Sequence, residues 1–244
     1  DADLAGMRAH RDNAEVQHAG LKAVVSLARG CAVGQAALVT AGKPDAVVAG
    51  LCAHRDDAVV QFNGLYAVAL LAKDSAQAAL VTAGAPDAVV AGLHAHPGVP
   101  VQHNGLYAVA NLAQGCAAAQ AALVTAGAPD AVVAGLRAHP GVQVQRAGLT
   151  AAFFLTRGCA AGQAALVTAG APDAVVAGLC AHPSDAGVQR DGLTAAFYLT
   201  RGCAAGQAAL VTAGAPDAVV AGLCAHPSDA GVQRFGLLTA AYLA

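Results

Sequence analysis

The sequence predicts an all-α protein, an α-solenoid of three-helix repeats, on three observations. An Ala-His pair returns at Ala9-His10, Ala53-His54, Ala95-His96, Ala138-His139, Ala181-His182 and Ala225-His226, in steps of 42 to 44 residues. A period of that size marks an array of helical units whose core lies between neighbours. Residues 157–190 and 201–234 are identical over 34 positions, so the units are copies and the positions that do vary stand out. Between the pairs, Gly, Pro and Asp recur where helices would stop and start.

Residues 161–201 show the elements in order. Gly162 to Ala169 reads as a short apolar helix, and Gly170 supplies its C-terminal stop. Ala171-Pro172-Asp173 opens a second helix, since Pro in a first turn forfeits no hydrogen bond and Asp meets the positive helix end. It runs to about Ala181 and is closed by His182-Pro183. Ser184-Asp185 offers a cap to the third and longest helix, about Gly187 to Thr200, which Arg201-Gly202 ends. On this frame residues 1–30 hold one second and one third helix. Full repeats occupy about 33–73, 75–114, 118–157, 161–201 and 205–244, read as a single array. No polar capping helix marks either end, so apolar, exposed end faces are expected.

Composition excludes several classes. The chain is 57% hydrophobic with a mean hydropathy of +0.54, yet Gln, Thr and Pro-Asp interrupt every apolar run well short of the ~20 residues of a spanning helix. No membrane span is expected. Seven Cys fall on two repeat positions, Cys31, Cys116, Cys159 and Cys203 on one and Cys52, Cys180 and Cys224 on the other. An odd number without a Cys-x-x-Cys clamp reads as reduced thiols in an intracellular compartment, cytoplasmic or nuclear; redox sensing by one exposed thiol is the other reading. The His residues of the Ala-His pairs sit one helix layer apart, roughly 8–10 Å, too far for shared metal coordination. They read as helix-end caps, and no metal or other cofactor is expected. His-Glu-x-x-His, Gly-x-x-x-x-Gly-Lys-Ser/Thr and Gly-x-Ser-x-Gly are all missing from the sequence, which argues against an enzyme.

Two motifs carry a family resemblance. Ala-Gly-x-Pro stands at Ala41 to Pro44, Ala83 to Pro86, Ala126 to Pro129, Ala169 to Pro172 and Ala213 to Pro216. Val-Gln-x-x-Gly-Leu begins at Val16, Val60, Val101, Val144, Val188 and Val232. Together they resemble the armadillo repeat family over the whole chain. The resemblance implies a right-handed superhelix whose third helices line a concave groove that holds an extended peptide, with no enzymatic activity.

Four offsets along each third helix form the stripe that would line such a groove. They read His18, Lys22, Ser26, Arg29; Phe62, Tyr66, Leu70, Lys73; His103, Tyr107, Asn111, Gln114; Arg146, Thr150, Phe154, Arg157; Arg190, Thr194, Tyr198, Arg201; and Arg234, Leu238, Tyr242. One helix face that varies between copies while holding aromatics and cations suggests a surface reading different parts of a ligand. The candidate groove residues are Lys22, Tyr66, Tyr107, Asn111, Arg146, Phe154, Arg190, Tyr198, Arg234 and Tyr242, with Arg29, Lys73, Arg157 and Arg201 at its edge. The family resemblance implies an aromatic followed four residues later by an Asn that clamps ligand backbone, and Tyr107-Asn111 alone keeps that pair. The blander readings are helix-dipole service for Arg29, Lys73, Arg157 and Arg201, and inter-repeat packing for Phe154, Tyr198 and Tyr242.

Charge sets the expected ligand. Eight of the 13 basic residues lie on the stripe, while the acids read as lying at second-helix starts and in the turns before third helices, so a net charge of −2 conceals a basic face. Such a face attracts an acidic or phosphorylated segment, as in the β-catenin branch of the family, and repels the basic signals of the importin branch. Single-stranded nucleic acid on the same face is one alternative, opposed by a pI near 6.5. Self-assembly into homo-oligomers through the uncapped ends is another.

Overall fold

The computed structural model describes residues 2–30, 37–73 and 76–244, all helices and short connections. Cys31 and the expected starts of the repeats at 33 and 75 lie outside the described residues. Two compact units emerge, Asp1–Ala128 and Pro129–Ala244. Each repeat of an array touches mainly its sequence neighbours, which is why compact units can form without a linker between them.

In the unit 1–128 the helices run Ala2–Ala9 and Ala14–Gly30, then Lys43–Ala53 and Ala58–Leu71 after helical residues 37–40. Gln77–Thr82, Ala85–Ala95, Val99–Ala113 and Ala117–Thr125 follow. In the unit 129–244 they run from the helix at Ala128–Ala138 through Val142–Thr156, Ala160–Ala169, Ala171–Ala181, Ala186–Thr200, Ala204–Thr212 and Ala215–Ala225 to Ala230–Leu243. Each third helix packs on the third helix of the next repeat in its unit, and against the second helix of its own repeat.

The junctions follow from local chemistry. Gly170 and Gly214 take φ of 85° and 86°, a left-handed backbone that glycine enters without a Cβ clash. There the first and second helices meet at 71° and 76°. The first helix starts at Ala160, two residues before the sequence suggested, because Cys159 is its cap: the Gly162 N–H donates to Cys159 Sγ at 3.3 Å. Cys203 repeats this on Gly206. Third helices open on Asp57, Asp185 and Asp229, whose carboxylates accept first-turn N–H groups, and Asn13 does the same for Val16. Gly98 and Gly141 stand at this place without a side-chain cap.

The repeat motif now has a physical account. The Gln of Val-Gln-x-x-Gly-Leu turns back to the second helix, where its Nε2 donates to two carbonyls at the helix end that have no partner within the helix. Gln189 reaches Leu179 O at 2.7 Å and His182 O at 3.0 Å, and Gln17, Gln61, Gln102, Gln145 and Gln233 do the same in their repeats. The Gly of the motif is a seat for the second helix: a Cβ on Gly192 would come within 2.7 Å of Leu179 Cδ2. Leu65, Leu106, Leu149 and Leu193 of the motif are fully buried. The Ala-His pairs do more than cap. Ring Nε2 of His54, His96, His182 and His226 donates to Arg11 O, Arg55 O, Pro140 O and Pro183 O at 2.6–2.8 Å, hooking each repeat to the one before. Since a carbonyl only accepts, that nitrogen carries a proton in either charge state.

Candidate functional site

The stripe residues lie along the stacked third helices of each unit, some exposed and some buried, with different chemistry in each unit. In the unit 1–128, Lys22 is exposed and Lys73 stands exposed just beyond Leu71. Tyr66 is half-buried and tied to the preceding repeat: Arg29 Nε donates to its hydroxyl at 3.1 Å, and the guanidinium carbon lies 5.2 Å from the ring centroid. Tyr107, also half-buried, lies parallel to the His103 ring, centroids 6.3 Å apart. Asn111 is 6% exposed, and its Nδ2 donates to Ala69 O at 2.8 Å on the preceding third helix. One of its two amide N–H groups thereby holds two repeats together, at the residue where the family resemblance implied a clamp on ligand backbone. Asn104 is used likewise, donating to Phe62 O at 3.0 Å.

In the unit 129–244 the face is cationic and aromatic. Phe154, Tyr198 and Tyr242 do not stand apart as three rings. Phe153 and Phe197, which lie outside the stripe offsets, link them: Phe153 meets Phe154 at 4.4 Å and Tyr198 at 4.8 Å, and Phe197 meets Tyr198 at 4.9 Å and Tyr242 at 5.6 Å. These separations are those of aromatic pairs that attract beyond their area. The rings therefore pack the third helices together, and Tyr198 and Tyr242 keep part of their surface in solvent. The doublets Phe153-Phe154 and Phe197-Tyr198 were the sequence signal for this.

The arginines have partners too. Arg146 Nε lies 2.9 Å from Asp191 Oδ2, and Arg190 Nε lies 3.5 Å from Asp191 Oδ1. Asp191 sits within a third helix, so the reading that placed the acids elsewhere is corrected: one acid shares the face with the cations. Arg234 lies over the Phe235 ring at 5.3 Å, and Arg157 over Phe153 at 5.9 Å. Arg157 and Arg201 are also C-caps of their helices. Arg201 lines a cavity of about 380 Å³ with Tyr198, Gln163, Cys159 and Thr156.

One carboxyl in this unit is perturbed. The Val232 N–H bond holds Asp229 below the ordinary carboxylate range; partial desolvation opposes it, while the Gly231 N–H, Arg190 and His226 add to the lowering. The arrangement as a whole offers guanidinium groups, ring faces and hydroxyls. Among the described residues no group of three or more His, Cys, Asp or Glu is placed to hold a metal ion, and no single helix is long and apolar enough to cross a membrane.

No family model matches the sequence, and no curated protein matches it. Solved structures match over the full length. The crystal structure of an engineered protein superposes with a TM-score of 0.86 at 25% identity, covering 100% of this chain and 98% of that one. A designed armadillo repeat protein gives 0.84 at 22% identity, covering 100% and 99%. Another, in complex with the peptide (KR)4, gives 0.83 at 21% identity, covering 100% and 98%.

Proposed function

We propose that this armadillo-like helical repeat protein, an all-α solenoid, is a non-enzymatic scaffold that binds an extended acidic or phosphorylated peptide segment across its third helices. The observation that supports this best is the contrast within one repeat. Motif residues such as Gln189, Gly192 and Leu193 serve packing and recur, while the exposed offsets beside them change and gather cations: Lys22, Arg29 and Lys73 in one unit, Arg146, Arg157, Arg190, Arg201 and Arg234 in the other. The designed neighbour that carries (KR)4 lends support to peptide recognition by this fold, and the cations here reverse the ligand charge. Stacked helices lie roughly 10 Å apart and an extended residue spans ~3.3 Å, so each repeat addresses about three ligand residues. Arginines take carboxylates or phosphates in forked hydrogen bonds, and the exposed parts of Tyr66, Tyr107, Tyr198 and Tyr242 take apolar side chains.

The test is a selection from a random peptide library at low and high salt, followed by titration of the enriched peptides. Acidic peptides enriched at low salt, weakened roughly tenfold by Arg234→Gln and further by 0.5 M salt, support the reading. Enrichment of basic peptides, or of none, sinks it.

A second reading, self-association, has its own observation. Val220 and Leu237 are 59% and 61% exposed, while their counterparts one repeat earlier, Val176 and Leu193, are 7% and 0% exposed. Mass measured by light scattering would rise with concentration and stay monomeric in Leu237→Glu if this face pairs with a second copy.

A further inference from the structure

We propose that Arg146 and Arg190 form a single-anion binding site, that Asp191 is its resident occupant, and that a carboxylate or phosphate of the ligand binds there by displacing Asp191. The inference rests on the acidic-ligand reading above and names the place and the gate of that recognition.

Geometry comes first. The two oxygens of Asp191 face different arginines on successive third helices, Oδ2 toward Arg146 at 2.9 Å and Oδ1 toward Arg190 at 3.5 Å. That is how two guanidinium groups hold one carboxylate. The arginine side chains remain 46% and 43% exposed, whereas that of Asp191 is 16% exposed. An incoming anion can thus approach both cations from solvent while Asp191 lies beneath them. Exposed ion pairs contribute little net stability, so exchanging one carboxylate for another is an easy step.

The repeats themselves supply the comparison. The position of Asp191 reads Ala19, Asn63, Asn104, Ala147, Asp191 and Phe235 through the six motifs, four residue types in six copies. In the identical stretch that precedes it, Arg190 and Arg234 are copies of each other, and this residue is the first difference after them. Where it is Asp the two arginines beside it are paired with a carboxylate, and where it is Phe the arginine before it lies over a ring. Position 191 therefore decides how much of the arginine row is open to an acidic ligand. Packing alone does not explain the carboxylate, since Ala and Phe occupy the same place in neighbouring repeats.

The experiment uses the full chain, with inorganic phosphate as one probe and an oligoglutamate peptide as the other. Asp191→Asn keeps the shape and removes the charge. At constant ionic strength, phosphate should raise the melting temperature of Asp191→Asn far more than that of the parent, and adding Arg146→Gln should abolish the gain. The oligoglutamate should bind Asp191→Asn several-fold more tightly than the parent. Phe235→Asp places a carboxylate between Arg190 and Arg234 and should weaken the peptide several-fold, which decides the matter even where Asp191→Asn fails to fold. A folded Asp191→Asn that gains neither phosphate nor peptide binding, or a Phe235→Asp that binds the peptide as the parent does, overturns the proposal. Phosphate binding gained without any peptide binding supports the anion site and overturns only the peptide reading.

Discussion

The unit 1–128 and the unit 129–244 are built from the same repeat, yet they join their third helices by different chemistry. In the first, amides of Asn104 and Asn111 donate across to Phe62 O and Ala69 O of the preceding third helix, and Arg29 reaches the Tyr66 hydroxyl. In the second, a connected run of rings from Phe154 through Phe153, Tyr198 and Phe197 to Tyr242 fills the same kind of seam, with Asp191 spanning two arginines at its edge. The backbone hooks made by Gln and His are common to both units. An array thus keeps its scaffold in backbone-directed contacts and changes its seam and surface at a few positions per copy.

The largest effect should come from the centre of the aromatic seam. Phe197→Ala empties a nearly buried ring site and should lower stability by about 3–5 kcal/mol, measured by urea denaturation. A loss under 1 kcal/mol would mean that the rings line a surface instead of a core. Next comes the polar seam. Asn111→Ala strands the buried Ala69 carbonyl and should cost about 1–3 kcal/mol, with Asn111→Asp giving no rescue because a carboxylate cannot donate.

Acid should act at Asp229. Its pKa is depressed in the folded protein, so its contribution is fully present above the unfolded value of about 3.9 and is lost as pH falls through the lower folded value. Asp229→Asn should therefore melt below the parent at pH 6, and the two curves should converge as pH falls below about 4. Curves that stay parallel to the lowest pH would remove the charge from the account. The smallest effect is expected where a cap is missing. Gly141 already has the extended backbone of a cap, φ −67° and ψ 138°, so Gly141→Asp should raise stability by a few tenths of a kcal/mol, bringing it level with the repeat capped by Asp185. No change or a loss would show that Gly is required there.

Much of the fold was legible. The Ala-His period, the Ala-Gly-x-Pro junctions and the Asp caps are local signals, and second helices such as Ala171–Ala181 lie where those signals place them. The candidate site was legible only in outline. The stripe offsets found Arg146, Arg190, Tyr198 and Tyr242, but helix periodicity could not tell that Asn111 donates to Ala69 O or that Phe153 and Phe197 connect the rings. Asp191 escaped because it lies one residue beyond Arg190, off the four sampled offsets, and its partner Arg146 is 45 residues away.

The two identical stretches draw the line between what each level of description determines. Residues 157–190 and 201–234 form the same helices with the same thiol caps and the same histidine hooks, because capping, left-handed Gly and helix propensity act within a few residues of chain. That much the sequence determined by itself. Yet Val176 is buried where Val220 is exposed, and Arg190 faces a carboxylate where Arg234 lies over a ring. Burial and pairing depend on which repeat packs alongside, and that is settled only by contacts between residues more than 40 positions apart, in the tertiary structure.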